Sequence, residues 1–203
     1  NGTTWSTVAT VTANTASTTT HSITPVSARY LRLNVTTPTS NGNAAARVYE
    51  FEAYGSAGPA LTNLALGQAA TGDSSCNADE APAKAVNGSV SGGNTDKWCS
   101  TGASKWLQVD LGAARNVSRF VVKHAGAGGE NTAWNTRDFT LQVSSNASTW
   151  TTVATVTGNT ASTTTHDFSA VSARYVRLNI TSSGSDAATR IYEFEAWGTG
   201  AGG

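Results

Sequence analysis

Few side chains in this sequence belong to the kinds that break or transfer bonds, and their spacing narrows the chemistry further. Acid–base cleavage by two carboxyl groups needs them opposed across a cleft, whereas Asp79 and Glu80 are adjacent and Glu193 and Glu195 lie along one strand. A histidine-activated nucleophile has no setting either, since His21 and His166 are copies of each other inside threonine-rich runs. The expectation is a protein without catalysis. The stretch Gly126-Ala-Gly-Gly-Glu-Asn-Thr-Ala-Trp-Asn-Thr136 is too glycine-rich and polar for a strand and long enough for a binding rim. Within it Trp134 offers a flat apolar ring, or else folds inward to close the end of the fold. Glu130, Asn131, Asn135 and Arg137 offer hydrogen-bonding groups, or else are solvated loop residues. His124 ends the Phe120–Lys123 run beside this loop and is read either as a contact or as a satisfied structural histidine.

The elements that must position these residues come in a repeat. Asn1-Gly-Thr-Thr-Trp5-Ser-Thr-Val-Ala-Thr-Val11 recurs as Asn146-Ala-Ser-Thr-Trp150-Thr-Thr-Val-Ala-Thr-Val156, and 26 of the 36 positions from Asn1 to Thr36 match without gaps. Arg47-Val-Tyr-Glu-Phe-Glu-Ala-Tyr-Gly55 recurs as Arg190-Ile-Tyr-Glu-Phe-Glu-Ala-Trp-Gly198. The chain is therefore a tandem repeat. Residues 1–55 have no counterpart of Leu61–Ser145, so a partial module precedes a complete one at 61–198. Residues 56–60, Ser-Ala-Gly-Pro-Ala, read as a linker and residues 199–203 as a glycine-rich tail, as in modules strung along a longer protein.

Alternation marks the strands. Leu107, Val109 and Leu111 point one way while Gln108 and Asp110 point the other, and Phe120/Val122, Phe139/Leu141/Val143 and Val176/Leu178/Ile180 behave alike. No apolar stripe of helical period is present, so short antiparallel strands in a two-layer β-sandwich are expected. Two C-terminal halves compete for one N-terminal half. The short Ser144–Thr149 hairpin favours pairing of 61–145 with 146–198; pairing with 1–55, or exchange of strands between chains through 1–55, is the alternative.

Lys and Arg number 13, as do Asp and Glu, with no run of either sign. Nucleic acid and anionic membranes, which call for a basic patch, are poor partners. Cys76 and Cys99 are the only cysteines and lie in one loop-rich stretch. They are read as a disulfide of an exported protein, stabilising by roughly 3 kcal/mol, or as two separate buried thiols.

Several landmarks occur in order: Asn63-Leu-Ala-Leu-Gly67, Lys84-Ala-Val-Asn-Gly88, Asp96-Lys-Trp98, Trp106-Leu-Gln-Val-Asp-Leu-Gly112, Ala173-Arg-Tyr-Val-Arg-Leu178 and Tyr192-Glu-Phe-Glu-Ala-Trp-Gly198. This set resembles the discoidin or coagulation factor 5/8 type C domain, and within it the family 32 carbohydrate-binding modules of secreted microbial glycoside hydrolases. The resemblance implies an all-β jelly-roll sandwich, polysaccharide or oligosaccharide as partner, an attached catalytic domain and a secreted location. Trp98 and Trp106 would then belong to the core pattern, while Trp5, Trp150 and Trp197 serve the repeat's hairpin and last strand. Trp134 remains as the sugar platform, and Glu80 falls where relatives carry a hydroxyl-binding acid, or is an ordinary loop carboxylate. The resemblance also implies one structural cation, usually Ca2+, held by the carbonyls of Lys84, Ser89 and Tyr192 and the side chains of Asn87, Asp96 and Glu193. Asn87 stands where aspartate is usual and Asp96 where threonine is usual; the alternative is that Asn87-Gly88 is merely a turn and Asp96 a solvated loop acid. Galactose-binding relatives often carry a histidine where Cys99 stands here, which turns the expectation toward glucans, chitosan or another equatorial polysaccharide. The rival within the fold is an adhesion or phospholipid-binding domain.

Overall fold

The structure is a computed structural model describing residues 2–39, 42, 44–55 and 60–200. Its contacts divide the chain into residues 1–58 and 59–203, each taken by itself below. The expected linker and the end of the expected tail fall mostly outside the described residues.

The second unit contains β1 (Thr62–Asn63), β2 (Ala69–Gly72), β3 (Trp98–Ser100), β4 (Lys105–His124), β5 (Asp138–Ser144), β6 (Thr151–Val156), β7 (Thr163–Ser182) and β8 (Thr189–Thr199). All pairings are antiparallel, in the order β1-β8-β4-β7-β5-β6, with β2 added to β4 and β3 to β8. Helical structure among the described residues is confined to short 3-10 segments in the loops. The alternating residues turn inward as their period dictates: Leu107, Val109, Leu111, Phe120, Val122, Phe139, Leu141, Val143, Val176, Leu178 and Ile180 are all buried. Phe120 lies between Phe168 and Phe194, with ring centroids 5.2 and 5.3 Å away.

β4 and β7 differ from the expected short strands, for each is a continuous strand of 20 residues. Their pairing shifts register between Asp110 and Arg115 and again between Val117 and Arg119. Before the first shift β4 bonds to β2 and to the C-terminal part of β7; beyond it, to β8 and the N-terminal part of β7. The long strands thus pass from one layer to the other at the bend, and the hydrogen-bond ladder traces a single sheet folded into a sandwich. Gly112 at the bend has φ +78°, a conformation that L side chains resist.

Thr62 pairs with Gly198, so the two chain ends of this unit meet at one pole. The connections 73–97, 125–137, 157–162 and 183–188 gather at the opposite pole. In residues 1–58 no strand occurs among the described residues, yet local conformations repeat those of the second copy. Gly2 and Ala147, and Ala13 and Gly158, share positive φ. The Asn14 carboxamide accepts from the Ala16 N–H at 3.0 Å, as Asn159 does from Ala161 at 2.9 Å. The Arg32 guanidinium lies 4.3 Å from the Trp5 ring centroid, and Arg177 lies 4.2 Å from that of Trp150.

Candidate carbohydrate site

The loops at the free pole are fixed by short-range bonds. Cys76 and Cys99 form a disulfide with Cα atoms 5.3 Å apart. Asn77 accepts from the Asp79 N–H at 2.9 Å and so caps the turn that carries Glu80. In the Trp134 loop, Asn131 accepts from Ala133 N–H at 3.0 Å, capping the turn 132–134. Asn135 is buried, accepting from Gly126 N–H at 2.8 Å and donating to the Thr160 carbonyl at 3.0 Å. A side chain at Gly128 would strike the Tyr192 ring, so glycine there lets the loop close down on β8.

Beneath Trp134 lies an ionic cluster. Lys97, 3 % exposed, sits 3.4 Å from Glu80 Oε1 and 2.7 Å from Glu130 Oε1, and donates to Asn94 at 2.8 Å. The Tyr192 hydroxyl also donates to Glu130 Oε1 at 2.8 Å. Arg190 reaches Glu130 Oε2 at 3.2 Å, grips both oxygens of Asp186 at 3.0 and 2.9 Å, and lies 4.5 Å from the Trp134 ring centroid. Burial, reinforced by Glu130, pushes the Tyr192 phenol upward, while the Arg190 fork holds Asp186 below the usual carboxylate range. Glu80 is therefore buried and committed to Lys97, and Glu130 is shared among three donors. Trp134 is half-buried, with one face against Arg190.

On the other flank of the loop, Thr132, Ala133, Asn135, Arg137, Asn159, Thr160, Gly184 and Ser185 line a cleft of about 260 Å3. Arg137 is exposed there, and its guanidinium makes no ion pair among the described residues. His124 is placed elsewhere: it is fully buried against Phe139, with ring centroids 5.4 Å apart. Its Nε2 is 3.4 Å from Thr164 Oγ1, and its Nδ1 has no partner. Burial first, then the neighbouring His166, pulls its pKa down to about 4.

A second cluster unites four of the six expected cation ligands. Asn87 donates to Asp96 Oδ1 at 3.1 Å and accepts from Ser89 N–H at 2.8 Å, and Ser89 Oγ donates to Asp96 Oδ2 at 2.6 Å. These bonds, the Ser89 hydroxyl first, hold Asp96 below its usual pKa. The next residue, Gly88, donates its N–H to Glu193 Oε1 at 2.8 Å. Glu193 is fully buried, its Oε2 has no partner, and burial raises its pKa. Lys84 occupies the 3-10 segment Pro82–Val86 just before this loop, and Tyr192 precedes Glu193 on β8. An orphaned buried carboxylate oxygen amid all-oxygen donors fits a hard divalent cation.

Sequence reasoning did not single out Lys97, Arg190, Asp186 or the Tyr192 hydroxyl as site residues. Lys97 and Arg190 each had a signal, a cation inside a motif otherwise read as core, but Glu80 and Glu130, the acids that join them into one cluster, lie 17 or more residues away on separate loops. Their bond to Glu130 needs the folded register, in which Cys99 faces Arg190 across β3 and β8.

The sequence profile of the F5/8 type C, NedA-like, galactose-binding domain matches residues 84–178. No curated protein matches the chain. Among solved structures, chitosan-binding module 1 of a chitosanase/glucanase from Paenibacillus sp. IK-5 is 30 % identical, with 68 % of this chain and 99 % of that one covered and a TM-score of 0.58. The family 32 carbohydrate-binding module of Streptococcus pneumoniae EndoD is 31 % identical, covering 66 % and 98 %, with a TM-score of 0.57. Chitosan-binding module 2 of the Paenibacillus enzyme, solved with chitotriose, is 26 % identical, covering 67 % and 100 %, with a TM-score of 0.56. With the folded sheet, the ordered motifs and these matches in agreement, the chain belongs to the F5/8 type C, galactose-binding-like family that includes the family 32 carbohydrate-binding modules.

Proposed function

We propose that residues 61–198 form a non-catalytic module that holds polysaccharide at the free pole and tethers an attached secreted glycoside hydrolase to it. The observation that carries this reading is the Trp134 loop: a partly exposed indole, backed by Arg190 and braced by Asn131 and Asn135, beside a polar cleft with an uncommitted Arg137. A sugar ring would lie on the indole, with Arg137, Glu130 and the cleft hydroxyls of Thr132, Thr160 and Ser185 receiving its hydroxyl groups. Glu80 acts through Lys97, setting the electrostatics of the rim. Glu80, Glu130 and Asp186 serve as ion-pair partners, which supports binding over cleavage.

Similarity to modules described as chitosan-binding, one of them solved with chitotriose, supports a β-linked equatorial glycan. So does Cys99, bound in a disulfide at the position where galactose-binding relatives often place histidine. A shallow site of this kind binds weakly, and tandem copies on one chain raise retention through effective concentration. A calcium ion would be held by Asn87, Asp96 and Glu193 with the carbonyls of Lys84, Ser89 and Tyr192; the charge it supplies would neutralise Glu193 and stiffen the 84–96 loop.

The test is affinity electrophoresis on soluble chitosan and glucan beside a liposome pull-down. Retardation on one polysaccharide with no liposome binding is expected. Trp134→Ala should weaken retardation at least roughly tenfold while moving the melting temperature by less than about 2 °C. Liposome binding without retardation, or retention unchanged in Trp134→Ala, would overturn the reading.

A further inference from the structure

The cleft beside Trp134 is lopsided in charge. Backbone bonds shape its wall: Arg137 N–H donates to the Ser182 carbonyl at 3.1 Å, the Arg137 carbonyl accepts from Asn159 N–H at 2.8 Å, and Ser185 N–H donates to the Ala133 carbonyl at 2.8 Å. Loops 125–137, 157–162 and 183–188 are thereby tied together around one opening. The carboxamides that line it are taken up in the same task. Asn135 accepts from Gly126 N–H and donates to the Thr160 carbonyl, while Asn159 accepts from Ala161 N–H and donates to the Thr136 carbonyl, both at 2.9 Å. What remains is the exposed Arg137 guanidinium and the hydroxyls of Thr132, Thr160 and Ser185, none of which bonds to another group among the described residues. No carboxylate lines the cleft. The acids of the flanking loops are already engaged: Glu130 pairs with Lys97 and Arg190, Asp186 pairs with Arg190, and Asp138 Oδ1 accepts from Gly158 N–H at 2.6 Å.

We infer that the glycan received at this pole carries an oxyanion, a uronate carboxylate or a sulfate ester, and that Arg137 is the residue that selects it. This rests on the reading of the pole as a glycan site and names the class of sugar. The guanidinium fork matches the paired oxygens of a carboxylate or sulfate, and hydrogen bonds between charged partners are about twice as strong as neutral ones. One sugar unit would lie on the indole, with its acidic group turned into the cleft, where the three hydroxyls donate to the oxygens that the fork leaves unpaired. An ammonium-bearing sugar would meet only a like charge there, since each flanking acid would first have to give up its own partner. A single fork reads one oxyanion in place; it is not the extended basic patch that nucleic acid requires.

The experiment titrates the full chain, followed by NMR, with three short β-1,4-glucan oligosaccharides: the neutral one, one oxidised to carboxylate at C6 and one sulfated at C6. At least one acidic probe should bind roughly tenfold more tightly than the neutral one in about 50 mM salt, and the advantage should shrink at least roughly threefold in about 500 mM salt. Whichever acidic probe binds more tightly identifies the oxyanion. Arg137→Gln should bring the acidic probes to within about threefold of the neutral one, and Arg137→Lys, which keeps the charge and loses the fork, should fall between Arg137→Gln and the unaltered chain. Arg115→Gln, at the bend of β4, should leave the preference intact and so exclude a general effect of net charge. Neutral and acidic probes bound equally, or a preference that survives Arg137→Gln, would overturn the inference. If that equal binding is lost in Trp134→Ala, the glycan site itself stands and only the acidic class falls; no binding of any probe or polysaccharide would overturn both.

Discussion

His124 shows how one side chain can be read correctly as to place along the chain and still be assigned to the wrong neighbourhood. Its position at the end of β4 suggested a view of the loops, but β4 closes against Phe139 and the ring is sealed in the core beside His166. Both rings are pulled toward the neutral form, His124 to about 4 and His166 in the same direction, burial being the first cause in each. A histidine whose folded pKa lies below its unfolded value contributes full stability above about pH 6.5 and loses it as pH falls toward 4. For His124 the loss amounts to about 3 kcal/mol. Melting temperatures measured from pH 7.5 to 4 should fall steeply through that window, and His124→Leu should flatten the fall. An unchanged pH profile in the variant would show that His124 is not its source. The Trp134 indole was legible as a rim residue because glycine and polar neighbours exclude a strand there. The Lys97–Glu130–Arg190 contacts were not, because Coulomb partners on separate loops leave no local periodicity.

Two loop devices at the free pole make separable predictions. The disulfide closes the segment from Cys76 to Cys99, a sequence separation of 23, and its reduction should cost about 3 kcal/mol of stability, read as a lower urea midpoint with dithiothreitol. The 84–96 loop meets β8 through Gly88 and Glu193. Calcium should raise the melting temperature of the full chain, and EDTA should reverse the rise. Glu193→Gln should abolish the response while retaining a folded protein, since an amide tolerates burial better than an uncompensated carboxylate; a calcium response that survives would remove Glu193 from the site. Strand identity was readable from alternation at Leu107–Leu111, Phe139–Val143 and Val176–Ile180. The unbroken course of β4 was not, because Gly112-Ala-Ala-Arg-Asn116 interrupts the period where the strand bends between layers.

At the scale of the molecule, the pairings of β6, β7 and β8 are all met within residues 62–199. Removing residues 1–59 should therefore leave the main unfolding transition within about 2 °C of its position in the full chain. A fragment that fails to fold would show that the first copy supplies strands to the core.

The pairing of Thr62 with Gly198 has a mechanical corollary. β8 runs 11 residues from the loop cluster to that pairing, roughly 35 Å at strand rise. Incoming and outgoing chain thus leave side by side, a full strand length from where a glycan would rest. Pull along the chain is thus borne by the β1–β8 clasp, which stands at the pole opposite the loops 125–137 and 183–188.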